Sequence, residues 1–470
     1  MRRKKRNIVL ENVLVEDYAA EGRSLARVNG KVIFIERVVP GDVVDVKLFK
    51  SKKDWAEGWP LQVHSYSPDR VQPFCSHFGV CGGCQWQMLP YEKQLFYKQK
   101  QVQDNLQRIG KIPLPELMPI IGADETTYYR NKLEYTFGNR RFLLPHELSN
   151  PAISANEDVA GFHAPGIFDK VVDIGACYLQ AEPSNALRTI VKNFAKENEF
   201  EFYDIYKHQG ILRTMQLRIC TTGEVMVNVV FGKNDEEKIK KLLDHILQKF
   251  PTLTTLIYTI NTKKNDSLLD LDPIIYYGNG YVTEKLEDFK FRIGPLSFFQ
   301  TNTRQAEKLY RIARDFAELS GHEIVYDLYC GTGSIGIFVS RQAKKIIGVD
   351  VIDEAIEDAK QNAALNNLQN AEFITGDVID VCTDDFFAAH GKPDVIITDP
   401  PRAGMNEKLV KKILDIAAPI VVYVSCNPAT QARDLNLLRE KYEVNKIQPL
   451  DMFPHTHHIE NIVQLKIKNS

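Results

Sequence analysis

The sequence predicts a multidomain α/β protein with an N-terminal β-barrel, a central α+β domain and a C-terminal doubly wound sheet. Its 470 residues correspond to about two to four domains of ordinary size. Residues 8–66 carry short strand patterns at the spacing of a small barrel. From near residue 290, strand and helix patterns alternate to the end, which is typical of a parallel sheet covered by helices. We place the domains at 1–66, 67–290 and 291–470.

The composition is that of a globular protein, with 44% hydrophobic and 26% charged residues. No apolar run approaches the roughly 18 residues that would span a membrane. The first seven residues are charged and lack the apolar stretch of a signal peptide. We therefore expect a soluble, cytoplasmic protein with no membrane partner.

Charge is unevenly distributed, although the net charge is only −2. Residues 1–112 contain 19 Lys and Arg against 12 Asp and Glu, a net of +7, which leaves −9 for residues 113–470. A basic arm on an acidic body is typical of a nucleic-acid-binding segment, and equally of a solubilising terminus. Charge alone does not choose between these two interpretations.

Turn residues separate the strand patterns that predict the barrel. Asn29-Gly30 lies between two of these strands and is a strong hairpin signal. The predicted strands are Ile8–Val15, Ser24–Val28, Lys31–Glu36 and Val43–Lys50.

The central region mixes both kinds of element. A helix is predicted over 89–110, and we expect the segment 89–112 to pack on the C-terminal domain. The apolar residues expected near one face of this helix are Leu89, Leu95, Phe96, Val102, Leu106 and Ile109. Further on, the predicted strands include Gln216–Cys220 and Val225–Phe231, and the predicted helices are Ser184–Glu197 and Asp235–Lys249.

Three of the eight cysteines, Cys75, Cys81 and Cys84, lie on one short glycine-rich loop. In a long chain without a signal peptide, such clustering indicates metal binding or catalysis rather than disulfides. A fourth ligand has to come from elsewhere in the chain. Four thiolates suit either zinc or an iron–sulfur cluster, and spacing alone does not choose.

A glycine turn in the C-terminal third indicates a ligand cleft. The segment Val325–Gly336 is a strand, a turn and a helix start, with Gly331-x-Gly333-x-x-Gly336 at the first crossover. The next strand ends in Asp350, whose carboxylate suits a ribose. NAD and S-adenosylmethionine both carry a ribose, so these residues alone leave both cofactors open.

Two acids favour S-adenosylmethionine. Asp327 ends the first strand, where it suits a cationic amino-acid group. Asp399-Pro400-Pro401-Arg402 follows the fourth strand, whose end faces both the methyl group and the substrate in a methyltransferase. Asp377 closes a third strand, where it could meet the adenine.

A cysteine and a glutamate supply the groups needed to methylate a pyrimidine at C5. Cys426 ends the apolar strand Ile420–Ser425, and Glu460 follows a histidine-rich run. A thiolate that adds to C6 makes C5 nucleophilic, and a base then removes the C5 proton. Cys426 fits the nucleophile and Glu460 fits the base.

The motifs together resemble the RNA (uracil-5-)-methyltransferase family in order and spacing. They are Phe298–Asn302, Asp327–Gly333, Asp399–Gly404, Ser425–Pro428 and His455–Glu460. The N-terminal barrel resembles the OB-like TRAM domain of that family, and the cysteine loop resembles its iron–sulfur ligands. The resemblance implies a Rossmann-like class I methyltransferase domain at 291–470.

The resemblance also implies roles for individual residues. The cofactor S-adenosylmethionine would contact Gln300, Tyr329, Asp350 and Asp399. Cys426 would be the nucleophile and Glu460 the base, and Phe298 would lie near a flipped target base. A [4Fe-4S] cluster would bind Cys75, Cys81, Cys84 and, as fourth ligand, Cys177.

The substrate expected from the resemblance is 23S rRNA rather than DNA, bound by a monomer. The tRNA enzymes of the family generally lack both the barrel and the cysteine cluster. This chain has both, which favours 23S rRNA, and a tRNA substrate is the alternative. A catalytically silent RNA-binding or assembly factor would need neither Cys426 nor Glu460. An NAD-dependent oxidoreductase would have no use for Asp399-Pro400-Pro401-Arg402.

Overall fold

The structure is a computed structural model that describes residues 8–144 and 147–468. The basic tip of the predicted arm, residues 2–6, lies outside the described residues. Within them, the N-terminal sheet has the strand order β1-β5-β6-β4-β3-β2. Its strands are β1 (Ile8–Leu14), β2 (Asp17–Tyr18), β3 (Ser24–Val28), β4 (Lys31–Ile35), β5 (Val43–Ser51) and β6 (Trp55–Ser65).

The hairpin of the barrel was predicted from its local sequence, whereas its longest strand, β6, was not. Asn29 and Gly30 both have positive φ, 51° and 76°, and they join β3 to β4 as predicted. β6 was not predicted, because Gly58 and Pro60 interrupt its strand pattern. A Cβ at Gly58 would lie 2.4 Å from a methyl of Val46, so this glycine permits the close approach of β5 and β6.

The barrel is packed against the rest of the protein. Tyr18 and Val39 form a small apolar cluster with residues that follow the cysteine loop, among them Trp86. The indole Nε1 of Trp86 donates a hydrogen bond to the carbonyl of Gly22 at 3.3 Å. A Cβ at Gly22 would lie 2.7 Å from the Cβ of His457, so the barrel also touches the histidine-rich loop. The barrel is therefore an integral part of the fold rather than a free arm.

Helix α1 (Tyr91–Asn105), followed by a π-helical turn (Leu106–Gly110), joins the cysteine loop to the C-terminal domain. Its buried residues recur every four positions: Gln94, Lys98, Val102 and Leu106. Phe96 and Ile109, expected on the buried face, are 58% and 42% exposed. The predicted face is confirmed at Leu89, Val102 and Leu106, which are buried, and wrong at Phe96 and Ile109, because polar residues occupy part of the buried stripe. Val102 and Leu106 lie in an apolar cluster of the C-terminal domain.

The central sheet has the strand order β13-β12-β11-β10-β7-β8-β9. Helices α2 and α3 cover one face through an apolar core. The elements are β7 (Lys132–Gly138), β8 (Val159–His163), β9 (Val171–Asp173), α2 (Ser184–Glu197), β10 (Leu212–Ile219), β11 (Val225–Phe231), α3 (Glu236–Lys249), β12 (Thr255–Ile260) and β13 (Ile274–Tyr277).

A hairpin precedes the C-terminal domain and packs on it. Its strands are β14 (Val282–Leu286) and β15 (Phe289–Ile293), so the predicted boundary at 290 falls inside it. Phe289 and Phe291 belong to the core formed by the first helices of the C-terminal domain.

The C-terminal sheet has the order β18-β17-β16-β19-β20-β22-β21. Its elements are α4 (Thr303–Ala317), β16 (Ile324–Leu328), α5 (Ser334–Val339), β17 (Lys345–Asp350), α6 (Asp353–Leu365), β18 (Ala371–Thr375), α7 (Val378–Val381), α8 (Asp384–His390), β19 (Val395–Thr398), α9 (Glu407–Ile416), β20 (Ile420–Ser425), α10 (Pro428–Leu438), β21 (Tyr442–Leu450) and β22 (Glu460–Ile467).

Apolar side chains cover both faces of this sheet, as expected of a doubly wound domain. Strands β16 to β20 pair in parallel. The predicted doubly wound sheet is confirmed, and one strand near its edge, β22, runs antiparallel to both β20 and β21. No helix in the described ranges is long and apolar enough to cross a membrane.

Candidate active site

Cys426 and Glu460 meet at one end of the C-terminal sheet. Ser425 of β20 pairs with Asn461 of β22, so the next position along each strand end brings Cys426 opposite Glu460. Asp399 follows β19, the other neighbour of β20, and its N–H lies 3.5 Å from the carbonyl of Leu328. Cys426, Glu460 and Asp399 therefore share the carboxyl end of the sheet, where doubly wound folds bind ligands.

The electrostatics of this cleft are dominated by buried carboxyl groups. Burial and the negative charges of Glu460 and Asp399 raise the pKa of the Cys426 thiol to about 11. Burial and the charge of Asp399 hold the pKa of Glu460 well above its usual range. The positive charge of Arg402 lowers the pKa of both groups. The Cys426 thiol and the Glu460 carboxyl group, both with raised pKa values, thus face each other beside Arg402.

The cofactor loop is ordered by the carboxylate of Asp350. Its Oδ2 accepts from the N–H of Gly331 at 2.9 Å, and its Oδ1 accepts from the N–H of Ile352 at 3.0 Å. Tyr329 has a positive φ of 61°, a strained conformation for a non-glycine residue. A Cβ at Gly333 would lie 2.8 Å from the ring of Phe373, so this position requires glycine. The loop therefore turns sharply above the sheet, as the glycine pattern predicts.

Asp327 lies in β16, just before the glycine turn, and is 1% exposed. Its Oδ2 accepts from the N–H of Gly336 at 2.8 Å. Its Oδ1 is buried and has no hydrogen-bond partner among the residues that the structure describes. Burial, together with the charge of Asp399, raises the pKa of Asp327 to about 7. An unpaired buried carboxylate oxygen of this kind suits a cationic ligand group.

The other predicted cofactor residues differ in their surroundings. Gln300 is buried beside Asn131, which donates to the Gln300 carbonyl at 2.9 Å. Asp377 is exposed and caps α7, since its carboxylate accepts from the N–H of Ile379. Phe298 is 70% exposed, as a residue that stacks on a substrate base would be.

The four cysteines of the predicted metal site line one cavity of about 390 Å³. All four are free thiols. Burial raises the pKa of Cys81 to about 11 and that of Cys84 to about 12, and it also raises the pKa of Cys177. Across residues 8–144 and 147–468, no group of three or more His, Cys, Asp or Glu side chains is arranged to hold a metal ion. The predicted iron–sulfur cluster therefore stays a prediction.

Comparison with known proteins follows the same division of the chain. The tRNA (uracil-5-)-methyltransferase family model matches residues 205–468, more than half of the chain, and the TRAM domain model matches residues 10–61. The chain belongs to the tRNA (uracil-5-)-methyltransferase family. Both the predicted family and the predicted TRAM domain are confirmed.

Relatives within the family match nearly end to end. A protein of Bacteroides thetaiotaomicron described as an uncharacterized RNA methyltransferase is 51% identical over 453 residues, 96% of this chain and 100% of that protein. One of Porphyromonas gingivalis with the same description is 48% identical over 458 residues, covering 96% of this chain and 98% of that one.

A solved structure extends the comparison to the whole fold. The tRNA (uracil-54, C5)-methyltransferase of Pyrococcus abyssi, in complex with S-adenosyl-L-homocysteine, is 29% identical with a TM-score of 0.75. The likeness covers 97% of this chain and 100% of that chain, so it includes most of the barrel. The expectation that tRNA enzymes of the family lack the barrel does not hold for that protein.

The residues that hold the loop before Glu460 were not predicted from the sequence. Gln94 and Lys98 are fully buried, and both contact the segment 451–455. Arg402 was noted only as part of a motif, although it is the cation beside both Cys426 and Glu460. The one available signal was a polar pair at four-residue spacing within the apolar pattern of α1, next to the cysteine loop.

Proposed function

We propose that this protein methylates C5 of a uridine in a structured RNA, with S-adenosylmethionine as methyl donor. The observation that carries the proposal is the pairing of β20 with β22, which brings a cysteine and a buried glutamate together at the ligand-binding edge of the sheet. The buried, unpaired oxygen of Asp327 and the glycine turn beside it support a cofactor that carries an ammonium group. Family membership supports the reaction type.

The reaction needs each group at a defined step. The Cys426 thiolate adds to C6, and the electrons of the C5–C6 double bond move onto the ring as an enolate. C5 then attacks the methyl group of S-adenosylmethionine, and the sulfur–methyl bond breaks. The carboxylate of Glu460 removes the C5 proton, the double bond re-forms, and the thiolate leaves C6.

Formation of the thiolate is the step that the surroundings of Cys426 make difficult. Its pKa of about 11 means that little thiolate exists at neutral pH. Arg402 lowers this pKa. Glu460 is needed as a carboxylate in the last step, so the proton of the thiol has to go to another acceptor before C5 is deprotonated.

We propose 23S rRNA as the substrate, bound by a monomer in the cytoplasm across the barrel and the catalytic domain. The cysteine loop supports this choice, whereas the barrel does not discriminate, because the likeness to a tRNA enzyme extends over most of it. A tRNA is the second candidate, favoured by the likeness to the tRNA (uracil-54, C5)-methyltransferase over 97% of this chain.

We also propose that Cys75, Cys81, Cys84 and Cys177 hold a [4Fe-4S] cluster. The support is that all four cysteines line one cavity of about 390 Å³, and four thiolates suit an iron–sulfur cluster or zinc. The resemblance to the family's iron–sulfur cysteines favours the cluster. Iron would supply the positive charge that these buried thiols need to ionise. Four protein ligands would leave the cluster a structural role.

The decisive experiment is mass mapping of 23S rRNA and tRNA from cells with and without this gene. Loss of one methyluridine in 23S rRNA, and its return with purified enzyme in vitro, would support the proposal; a loss confined to tRNA would select the second candidate. The variant Cys426→Ala should abolish the in vitro reaction, and Cys382→Ala, at a buried cysteine away from the cleft, should retain it. Full activity of Cys426→Ala would rule out the covalent mechanism.

A further inference from the structure

The loop 451–459 leads directly into the strand that begins with Glu460, and residues far away in sequence hold it. We infer that Gln94 is a positioning residue for Glu460, because its buried amide fixes the loop that sets where the carboxylate meets C5. This inference rests on the proposed function. It concerns one step of that reaction, the removal of the C5 proton.

His455 is the point at which the loop is held. Its φ of 64° lies in the left-handed region, which is strained for a histidine. Its N–H donates to Oε1 of Gln94 at 2.8 Å, and its carbonyl accepts from the N–H groups of Gln85 at 2.8 Å and Trp86 at 3.0 Å. Its ring stacks edge-on against Phe74, with centroids 5.1 Å apart. Strain of this kind persists only where the surroundings enforce it, and such sites are often functional.

Gln94 joins three segments through one side chain. Its Nε2 donates to the carbonyls of Trp86 at 3.1 Å and Leu89 at 3.0 Å, and it lies 3.2 Å from Nδ1 of His455. The side chain is fully buried. The end of the cysteine loop, the start of α1 and the catalytic loop therefore depend on the same amide, and removing it would leave buried polar groups unpaired.

Neighbouring contacts hold the same loop. Lys98 forms a fully buried ion pair with Asp451 at 2.5 Å and donates to the carbonyl of Phe453 at 3.1 Å. The hydroxyl of Tyr129 donates to the carbonyl of Pro454 at 3.0 Å. Gln94 differs from Lys98 and Tyr129 because its side chain accepts a hydrogen bond from the strained residue, His455, itself.

Cys426 is held independently of this loop. It follows a central strand, and Asn427 caps α10 with its side chain accepting from the N–H of Ala429 at 3.1 Å. A loosened loop should therefore displace Glu460 more than Cys426. Thiolate addition and methyl transfer should persist while proton removal slows.

The test is a single-turnover reaction of the full-length enzyme with methyl-labelled S-adenosylmethionine and an RNA that the wild type methylates. In Gln94→Leu, a methyl-labelled, denaturant-stable protein–RNA adduct should accumulate, and its release should slow roughly 10- to 100-fold, the usual cost of a misplaced catalytic group. Gln103→Leu, at an exposed glutamine of the same helix, should release product as the wild type does. Gln94→Glu should restore release in part, since a buried and therefore protonated glutamate keeps one acceptor and one donor.

Release at the wild-type rate in Gln94→Leu, or an equal slowing of addition and release, would overturn the inference. If Gln94→Leu does not fold, Tyr129→Phe decides, because it removes one hydrogen bond to the same loop and keeps the ring. A two- to tenfold rise in adduct supports positioning, and an unchanged ratio of adduct to product overturns it. Two reactions serve as positive controls for adduct formation: Glu460→Gln with the ordinary RNA, and the wild type with an RNA that carries 5-fluorouridine. If neither gives an adduct, the proposed function fails and the inference falls with it.

Discussion

Cofactor binding is expected to release protons near neutral pH, and Asp327 is the main source. Its carboxyl has a pKa of about 7 because it is buried, and its Oδ1 has no partner among the described residues. The ammonium group of S-adenosylhomocysteine pairs with the ionised carboxylate only. Below pH 7 the ligand must first displace a proton, so affinity should rise as the pH rises through this pKa.

The magnitude follows from the fraction of Asp327 that is ionised. For a pKa of about 7, about one carboxyl in eleven is ionised at pH 6 and about ten in eleven at pH 8, so the apparent Kd should fall about tenfold between them. Asp399, whose pKa burial also raises to about 7, is less buried than Asp327 and would steepen the slope.

Titration calorimetry in two buffers of different ionisation enthalpy measures both the Kd and the protons released. The wild type should release about half a proton from Asp327 at pH 7. Asp327→Asn should bind more weakly at pH 8 and lose most of the slope, whereas Asp415→Asn, at an exposed position on α9, should match the wild type. A wild-type Kd that stays constant within twofold from pH 6 to 8 would show that ionisation of Asp327 is not linked to ligand binding.

Three further predictions concern other parts of the fold. Trp59, 40% exposed and 5.2 Å from the ring of Phe49, offers a platform for an unpaired base, so Trp59→Ala should weaken RNA binding by about 1–3 kcal/mol without changing cofactor affinity in calorimetry. Lys98→Met should lower the free energy of unfolding by about 3–5 kcal/mol in urea denaturation, because it strands a buried Asp451, and the double variant with Asp451→Asn should recover part of this loss. Protein purified without oxygen should be brown and contain iron, Cys84→Ala should be colourless, and a colourless wild type with stoichiometric zinc would contradict the cluster.

Local patterns predicted much of the fold and of the candidate site. The hairpin at Asn29-Gly30, the glycine turn after β16 and the acids at the ends of the strands all depend on short-range rules of turn geometry and strand direction. Cys426 and Glu460 could be paired because specific motifs surround them. Their opposition across β20 and β22 is a tertiary fact, and the antiparallel direction of β22 was not visible in an apolar strand pattern.

The failures have a common physical cause. Gln94 and Lys98 interrupt the apolar stripe of α1, and each has a partner more than 350 residues away along the chain. A periodicity rule assigns such residues to solvent, because it does not include the hydrogen bonds that make their burial favourable. β6 was missed for a related reason: Gly58 interrupts its strand pattern, but a glycine is needed there so that β5 can pack closely against it.

The position of β22 also affects the order in which the site is completed during synthesis. This strand lies between β20 and β21 although it follows both in the chain, so β21 joins the sheet only through a segment made after it. Strands β16 to β20, which form the cofactor edge, emerge from the ribosome first and can pair without it. A nascent chain halted before residue 460 would have the glycine turn and Cys426 but lack Glu460. Of the two residues in the proposed mechanism, Glu460 is therefore the last to be made.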